Sequence, residues 1–472
     1  MVQPFLIRRY WMYHQDTIAA IATSSKDGSI SVIRISGSQS VSMVAGIFFH
    51  RGGQPYPLSD CSSHTIHYGY IGPDGDNVMD EVLVLIMRGP RSYTAEDVVE
   101  IQCHGGYMIC QKILELLMER GARIAEPGEF TKRAFLNGRI DLTQAESVMD
   151  LIRAGSDIAW KNSFSQLRGS VKNKIEELRS MILEDTAYLE AGLDDPEHIS
   201  LEDFSPRIRE HTDFLKSELD HLLQNSQNGR LIREGIRTAI IGKPNVGKSS
   251  FLNCILRSDR AIVTDIPGTT RDTLEEEIRI GSMLFRFIDT AGIRQTDDLI
   301  ENMGIQKAKE ELEQADLVIC IIDSGSELEP EDLYVLEQAK ELPGVILYNK
   351  IDLPSVTGLE KIPVSADKKI IPFSAVTGEG LEELERYINE LFIENRIHYN
   401  DEIYITNARQ KESLADALES LCQLWESIET GMPEDLYTID LVNAYEALGR
   451  IIGETIEDDL VDKIFKDFCM GK

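Results

Sequence analysis

The chain is poor in three things. No apolar run reaches the ~18 residues a membrane-spanning helix needs. Cysteine is sparse: seven residues in 472, scattered and without a C-x-x-C pair. That pattern argues against a disulfide scaffold and a paired-cysteine zinc site, and fits a reducing cytoplasm. Positive charge is short: 48 Lys and Arg stand against 80 Asp and Glu, a net −32. A strong grip on nucleic acid through bulk charge is therefore not expected. A secretory leader is not expected either: Arg8 and Arg9 interrupt the short apolar run in MVQPFLIRRYWMYHQ, and no small-residue cleavage site follows. Residues 1–15 read as a frayed extension, or as an upstream start with Met12 the true one.

What is present is ordinary globular composition, with 42% hydrophobic and 27% charged residues, 34 Gly and 16 Pro. The length predicts about three domains. Charge is uneven: residues 1–140 hold 13 basic and 14 acidic residues, so nearly all the excess lies beyond them. No internal repeat or low-complexity tract is visible. Between 16 and 140, IAAIAT, ISVIRISG, EVLVLIMRGP and DVVEIQCHGG read as strands bounded by Gly and Pro. YMICQKILELLMER at 107–120 reads as a helix stopped by Gly121, which makes this segment α+β. SVMDLIRAGSDIAWKNSFSQL, VKNKIEELRSMILEDTAYLEAGL and, after 408, ARQKESLADALESLCQLWESI read as helices. Strands and helices alternate from 231 to 395, as in a doubly wound sheet. The expected fold is multidomain: α+β over 1–140, all-α over 141–230 and 396–472, and an α/β P-loop domain over 231–395 inserted between the helical halves.

Residues 242–249, GKPNVGKS, fit G-x-x-x-x-G-K-[ST], with an apolar run before and a helical run after. Glycines there let backbone N–H groups approach phosphates at a helix N-terminus. Asn245, Val246, Gly247, Lys248, Ser249 and Ser250 are the candidate contacts, with Lys248 on the β- and γ-phosphates and Ser249 on Mg²⁺. Asp289, Thr290, Ala291 and Gly292 form a DTAG after an apolar strand. Its carboxylate can hold Mg²⁺ through water, and the Gly292 N–H can reach the γ-phosphate. Asn349, Lys350, Ile351 and Asp352 form NKID, in which Asp352 can accept both N1–H and N2–H₂ of guanine. Ser374, Ala375 and Val376 are placed to contact guanine O6 through backbone N–H. Thr264, Asp265, Ile266, Pro267, Gly268, Thr269 and Thr270 lie in the expected first switch loop, with Thr270 closing on Mg²⁺. Each motif alone is a common surface turn. Together, in this order, they specify a GTP-binding site.

Ile293 stands where many GTPases carry a water-orienting Gln. Another group must then supply the missing charge. A monovalent cation held by Asn245 and switch-loop carbonyls can do so; Arg271 and Arg294 are alternative fingers, and for Asn245 a plain turn residue is the simpler reading.

GKPNVGKSS, DIPGTTRD, DTAGIR, NKID, FLNGRIDLTQAE and the terminal FCMGK resemble the MnmE (TrmE) family of tRNA-modification GTPases, from about Asp16 to Lys472. The resemblance implies an N-terminal folate-binding domain that forms a homodimer, a helical domain and an inserted GTPase domain. It implies an FAD-containing partner of the MnmG type, heterotetramer assembly, tRNA as substrate, and an aminomethyl-type group, commonly carboxymethylaminomethyl, placed on C5 of the wobble uridine. A 5-formyl- or methylene-tetrahydrofolate would be the one-carbon source. It further implies K⁺ on Asn245, Thr264, Ile266 and Thr269, Mg²⁺ on Ser249 and Thr270, and Glu301 as general base through a bridging water. Folate would lie on Arg34, Glu100, Arg139 and Lys472, and Cys469 in the terminal motif gains a chemical role to weigh against plain packing. Met470 replaces the family's commoner Ile, DDPEHIS at 194–200 departs from a DFPEE-like run, and residues 1–15 lie outside the resemblance.

A second class of reading is a ribosome- or RNA-binding regulatory GTPase without modification chemistry. It would share the GTPase motifs but not need the folate residues or FCMGK. The acidic balance further implies that this chain is not the main holder of tRNA and that a basic partner carries much of the tRNA contact.

Overall fold

The computed structural model describes residues 16–23, 28–195, 198, 204–257, 276–288, 312, 314–356, 358–359, 362–363, 368–394, 403–454, 458–466, 468 and 471. The chain divides into two compact units, 1–149 with 449–472 and 150–448.

The first unit is built on β1 (Ile18–Ile21), β2 (Ile30–Ser36), β3 (Phe48–Phe49), β4 (Thr65–Ile71), β5 (Asp80–Met87), β6 (Val98–His104) and β7 (Arg123–Ile124). They make one sheet in the order β3-β4-β5-β6-β2-β1-β7, antiparallel except for the parallel β1–β7 pair. Side-chain alternation sets its faces. In β5, Val82, Val84 and Ile86 are buried while Glu81 and Leu83 face out. The helix Tyr107–Glu119 packs Ile113, Leu114 and Leu117 with Ile33, Ile35 and Ile101 of the sheet. It ends at Arg120, and Gly121 follows at φ +102°, a conformation glycine adopts without Cβ strain. The C-terminal helix Asp458–Lys466 belongs to this unit: Val461 and Phe465 share a core with Leu142 and Ala145, and Lys132 pairs with Asp462.

The second unit joins helices to a second sheet, comprising β8 (Ile236–Ile241), β9 (Glu276–Ile280), β10 (Met283–Phe287), β11 (Leu317–Asp323), β12 (Gly344–Asn349) and β13 (Lys369–Pro372). The order is β13-β12-β11-β8-β10-β9, parallel except for the edge strand β9. The apolar runs of β11 and β12 are buried, as both-face coverage of a parallel sheet requires. The predicted helices appear as Ser170–Asp194 and Ala408–Glu429. Phe204–Glu234 runs antiparallel to Ala408–Glu429: Arg209 pairs with Glu429 at 2.9 Å, and Lys216 lies over the Trp425 ring at 4.8 Å.

One expectation needs refining. SVMDLIRAGSDIAWKNSFSQL is not one helix but two, Leu142–Arg153 and Asp157–Leu167. The break has a local cause: the Ser156 side chain accepts the Ala159 N–H at 3.2 Å, a new N-cap, and a Cβ on Gly155 would press within 3.0 Å of Leu284.

Candidate functional site

The loop 242–247 leaves the C-terminal end of β8 and enters the helix Lys248–Arg257. Ligands in open α/β sheets bind at such strand ends. The loop closes tightly on the NKID segment. Asn349 is 1% exposed; its Nδ2 donates to the Val246 carbonyl at 2.8 Å, and its Oδ1 accepts the Ala375 N–H at 3.1 Å. A Cβ on Gly247, at φ +105°, would stand 2.4 Å from Asn349 Nδ2, so only glycine fits there. Ser374 Oγ donates to Asp352 Oδ1 at 2.6 Å and accepts the Thr377 N–H at 3.2 Å. These bonds fix the Asp352 carboxylate beside the 374–376 turn.

Two lysines brace the 242–247 loop. Lys248 Nζ donates to the Gly242 and Lys243 carbonyls at 2.6 and 3.0 Å, which holds the ammonium over the loop. Lys350 Nζ donates to the Asn245 carbonyl at 2.8 Å and to Asp323 Oδ2 at 2.6 Å. Asn245 itself sits at φ +63°, a strained state for a non-glycine residue. Oxygen donors of this kind suit hard cations, so Ser249 at the helix start fits Mg²⁺ and Asn245 fits K⁺ in donor chemistry.

The structure thus brings together Asn245, Val246, Gly247, Lys248, Ser249, Ser250, Asn349, Lys350, Ile351, Asp352, Ser374, Ala375 and the exposed Val376 in one region of the sheet's rim. Residues 264–270 and 289–292, with Arg271, Ile293, Arg294 and Glu301, lie outside the described residues. So do Cys469, Met470 and Lys472.

Residues not singled out from the sequence also anchor this site. Asp323 ends β11 and holds Lys350; a lone carboxylate at the end of an apolar strand carries no motif spacing that would single it out. Lys243 is tied to Glu329 and to the buried Asp332 at 2.9 Å each, at the start of the helix Pro330–Gln338. Burial opposes the Lys243 charge, but the hydrogen bonds it donates to Asp332 and Glu329 overcome that and raise its pKa above the usual lysine value.

A second constellation lies in the first unit. Arg34 and Glu100 are direct cross-strand partners on β2 and β6, with Arg34 Nε and Nη2 each 2.8 Å from Glu100 Oε1. The guanidinium stands 4.9 Å from the Tyr93 ring centroid and 5.7 Å from that of Phe130. Arg139 lies over the same Tyr93 ring at 5.1 Å and donates to its carbonyl at 2.8 Å. Arg34 Nη1 also donates to the Gly471 carbonyl at 3.5 Å. Gly471 has φ +87°, and a Cβ there would meet the Ile21 carbonyl at 2.5 Å, so the tail is seated against β1. Three of the four proposed folate residues therefore share one neighbourhood with the residue preceding Lys472. Cations, a carboxylate and aromatic faces form a donor set that fits a pterin carrying an anionic tail.

Comparison with known proteins identifies the chain's relatives. Residues 17–139 match the family described as GTP-binding protein TrmE N-terminus, and residues 142–469 match the MnmE helical domain. The tRNA modification GTPase MnmE of Lachnoclostridium phytofermentans is 52% identical over 457 residues, covering 97% of this chain and 99% of that protein. Its counterpart from Clostridioides difficile strain 630 is 44% identical over 466 residues, covering 98% and 100%. Among solved structures, the G domain of the T. maritima FeoB iron transporter is 26% identical and covers 33% of this chain and 98% of that one, with a TM-score of 0.23. At that TM-score the likeness carries no structural weight. With relatives aligned along nearly their whole length and both family domains matched in order, this chain belongs to the MnmE (TrmE) family of tRNA-modification GTPases.

Proposed function

We propose that this chain hydrolyses GTP with Mg²⁺ and K⁺ and couples hydrolysis to modification of the wobble uridine of certain tRNAs. The observation that carries the reading is the closure of the guanine side on the phosphate side: Asn349 bridges Val246 and Ala375, while Lys350 bridges Asn245 and Asp323. Asp352, held by Ser374, selects guanine by accepting from N1–H and N2–H₂. Lys248 moves from loop carbonyls to the β- and γ-phosphates. When bound, Mg²⁺ on Ser249 and Thr270 neutralises phosphate charge, and K⁺ on Asn245, Thr264, Ile266 and Thr269 supplies the charge an arginine finger gives elsewhere. Glu301 positions and deprotonates water through a bridging water.

In the same proposal, segments 1–140, 141–230, 231–395 and 396–472 form the folate-binding, helical, GTPase and second helical parts. Arg34, Glu100, Arg139 and Lys472 hold a tetrahydrofolate derivative that supplies the one-carbon unit, and Cys469 lies in the terminal motif beside it. The chain acts in the cytoplasm as a homodimer with an MnmG-type flavoprotein and adds an aminomethyl-type group at uridine C5. Exposed Ile66, Tyr68 and Leu83 on one sheet face support the homodimer, because such apolar surface is costly to leave in water. Among the described residues no helix is long and apolar enough to cross a membrane.

GTP hydrolysis measured in K⁺ and in Na⁺ tests the ion assignment. The rate should be higher in K⁺ by about 10²–10³-fold, the usual effect of one transition-state charge contact. Asn245→Ala should erase the difference; equal rates for the unaltered chain would refute the assignment.

A further inference from the structure

The helix Asp157–Leu167 carries a feature the GTPase reading does not use. Its inner face is buried through Ile158, Ala159, Ser163 and Gln166, with Gln166 Nε2 donating to the Tyr404 carbonyl at 2.8 Å. Its outer face presents Trp160 and Phe164, 50% and 42% exposed, one turn apart. The two rings are stacked, with planes 9° apart and centroids 5.8 Å apart. At 3.6 residues per turn, positions 157, 160, 161, 164 and 168 fall within about 100° of one face. Lys161 and Arg168 therefore flank the rings, and both are exposed. The face's acidic residue, Asp157, is met by Arg279 at 2.7 Å.

We propose that this face is an RNA contact, on which an unpaired base of the tRNA stacks while Lys161 and Arg168 take the adjoining phosphates. The proposal rests on the reading of the chain as a tRNA-modification enzyme. Charge selects the occupant. A chain of net −32 repels a phosphate backbone over most of its surface, so contact must be local. Stacking on an aromatic face needs no net positive charge and accepts any base, which suits loop nucleotides that are splayed out. A protein partner fits less well. A standard interface covers about 800 Å² per side around an apolar centre, whereas here two rings are bordered by Asp157, Lys161, Ser165 and Arg168.

The test uses the full-length chain and an end-labelled, unmodified tRNA transcript, with affinity read by fluorescence anisotropy. Replacing both rings (Trp160→Ala with Phe164→Ala) should weaken binding roughly 10- to 100-fold. Trp160→Phe, which keeps a ring, should restore most of it. Arg168→Ala should reduce the salt dependence by about one phosphate contact. GTP hydrolysis without RNA should be unchanged in all three. Unaltered affinity in the double variant overturns the proposal. So does loss of flavoprotein binding with tRNA affinity intact, which would make the face a protein-docking surface. Should the double variant fold poorly, 4-thiouridine crosslinking of the unaltered chain decides: crosslinks within 157–168 support the contact, and crosslinks only elsewhere refute it. Absence of GTP hydrolysis in the unaltered chain would instead count against the GTPase reading, and the RNA measurements would stay interpretable.

Discussion

Lys350 shows how single contacts set this site. Its ammonium is shared between Asp323 and the Asn245 carbonyl, so one side chain links guanine recognition to the loop that faces phosphate. The left-handed Asn245 backbone is held in part by that bond. Asp323→Ala removes the lysine's carboxylate partner, and hydrogen bonds to charged groups contribute about 1.5–3 kcal/mol. Guanine-nucleotide affinity should fall by about tenfold or more, read by titration with a fluorescent GDP analogue. Unchanged affinity would show that Asn245 alone positions Lys350. The NKID lysine was legible because it sits in a motif of fixed order. Asp323 was not, because a lone carboxylate at a strand end has no spacing signature.

At the scale of elements, the helix Glu129–Leu136 is fastened to β7 and to Asp16, just before β1, by a charged network. Glu129, 6% exposed, accepts from Arg123 at 2.5 and 3.0 Å and from Arg133 at 3.0 Å; Arg133 also reaches Asp16 and Glu96. Burial would raise the Glu129 and Asp16 carboxyl pKa values, but hydrogen bonds and charges of Arg123 and Arg133 overcome it and hold both below the usual carboxylate range. A lowered folded pKa stabilises above the unfolded value and is lost as pH falls through the folded one. The network's contribution to the first unit should therefore be fully present at neutral pH and be lost on acidification below about pH 4. Glu129→Gln should cost about 3 kcal/mol at neutral pH, because it leaves buried Arg133 undercompensated, and should flatten that acid dependence. Thermal unfolding across pH reads both; an unchanged pH slope would discard the network as the cause. Strand signals served less well here. β4, TIHYGYI at Thr65–Ile71, shows weak apolar alternation because histidine, tyrosine and Gly69 occupy its positions, and its identity comes from pairing with β5.

At the scale of the molecule, the chain's last residues return to its first strands. Arg34 meets the Gly471 carbonyl, and Phe468 packs with Leu142 and Met149 in the same unit. A site that draws on Arg34, Glu100, Arg139 and Lys472 would then depend on the tail as well as on the sheet. Deleting residues 469–472 should weaken binding of 5-formyltetrahydrofolate, measured by calorimetry, and abolish tRNA modification. Basal GTP hydrolysis should persist, since the nucleotide motifs lie within 242–376, in the other unit. The two sites share no residue, so only a conformational link can join them. Unchanged folate affinity in the truncated chain would remove Lys472 from the site.

The residue order alone determined the local chemistry: the P-loop, NKID and Ser374–Ala375–Val376, because phosphate and guanine recognition need particular groups at short, fixed spacing. It also determined the long helices, whose apolar stripes repeat over many turns. Tertiary structure decided what spacing cannot encode. The Arg34–Glu100 pairing spans 66 positions and follows from the antiparallel register of β2 and β6. The Arg34–Gly471 contact spans 437 positions and follows from where the C-terminal helix packs. The stacked Trp160–Phe164 face became visible only once Ser156 started a new helix and fixed which side faces solvent. The two Arg34 contacts depend on how the chain closes its core, and no short window of sequence contains both partners; for the ring pair, sequence spacing allows the contact but only packing decides that it faces solvent.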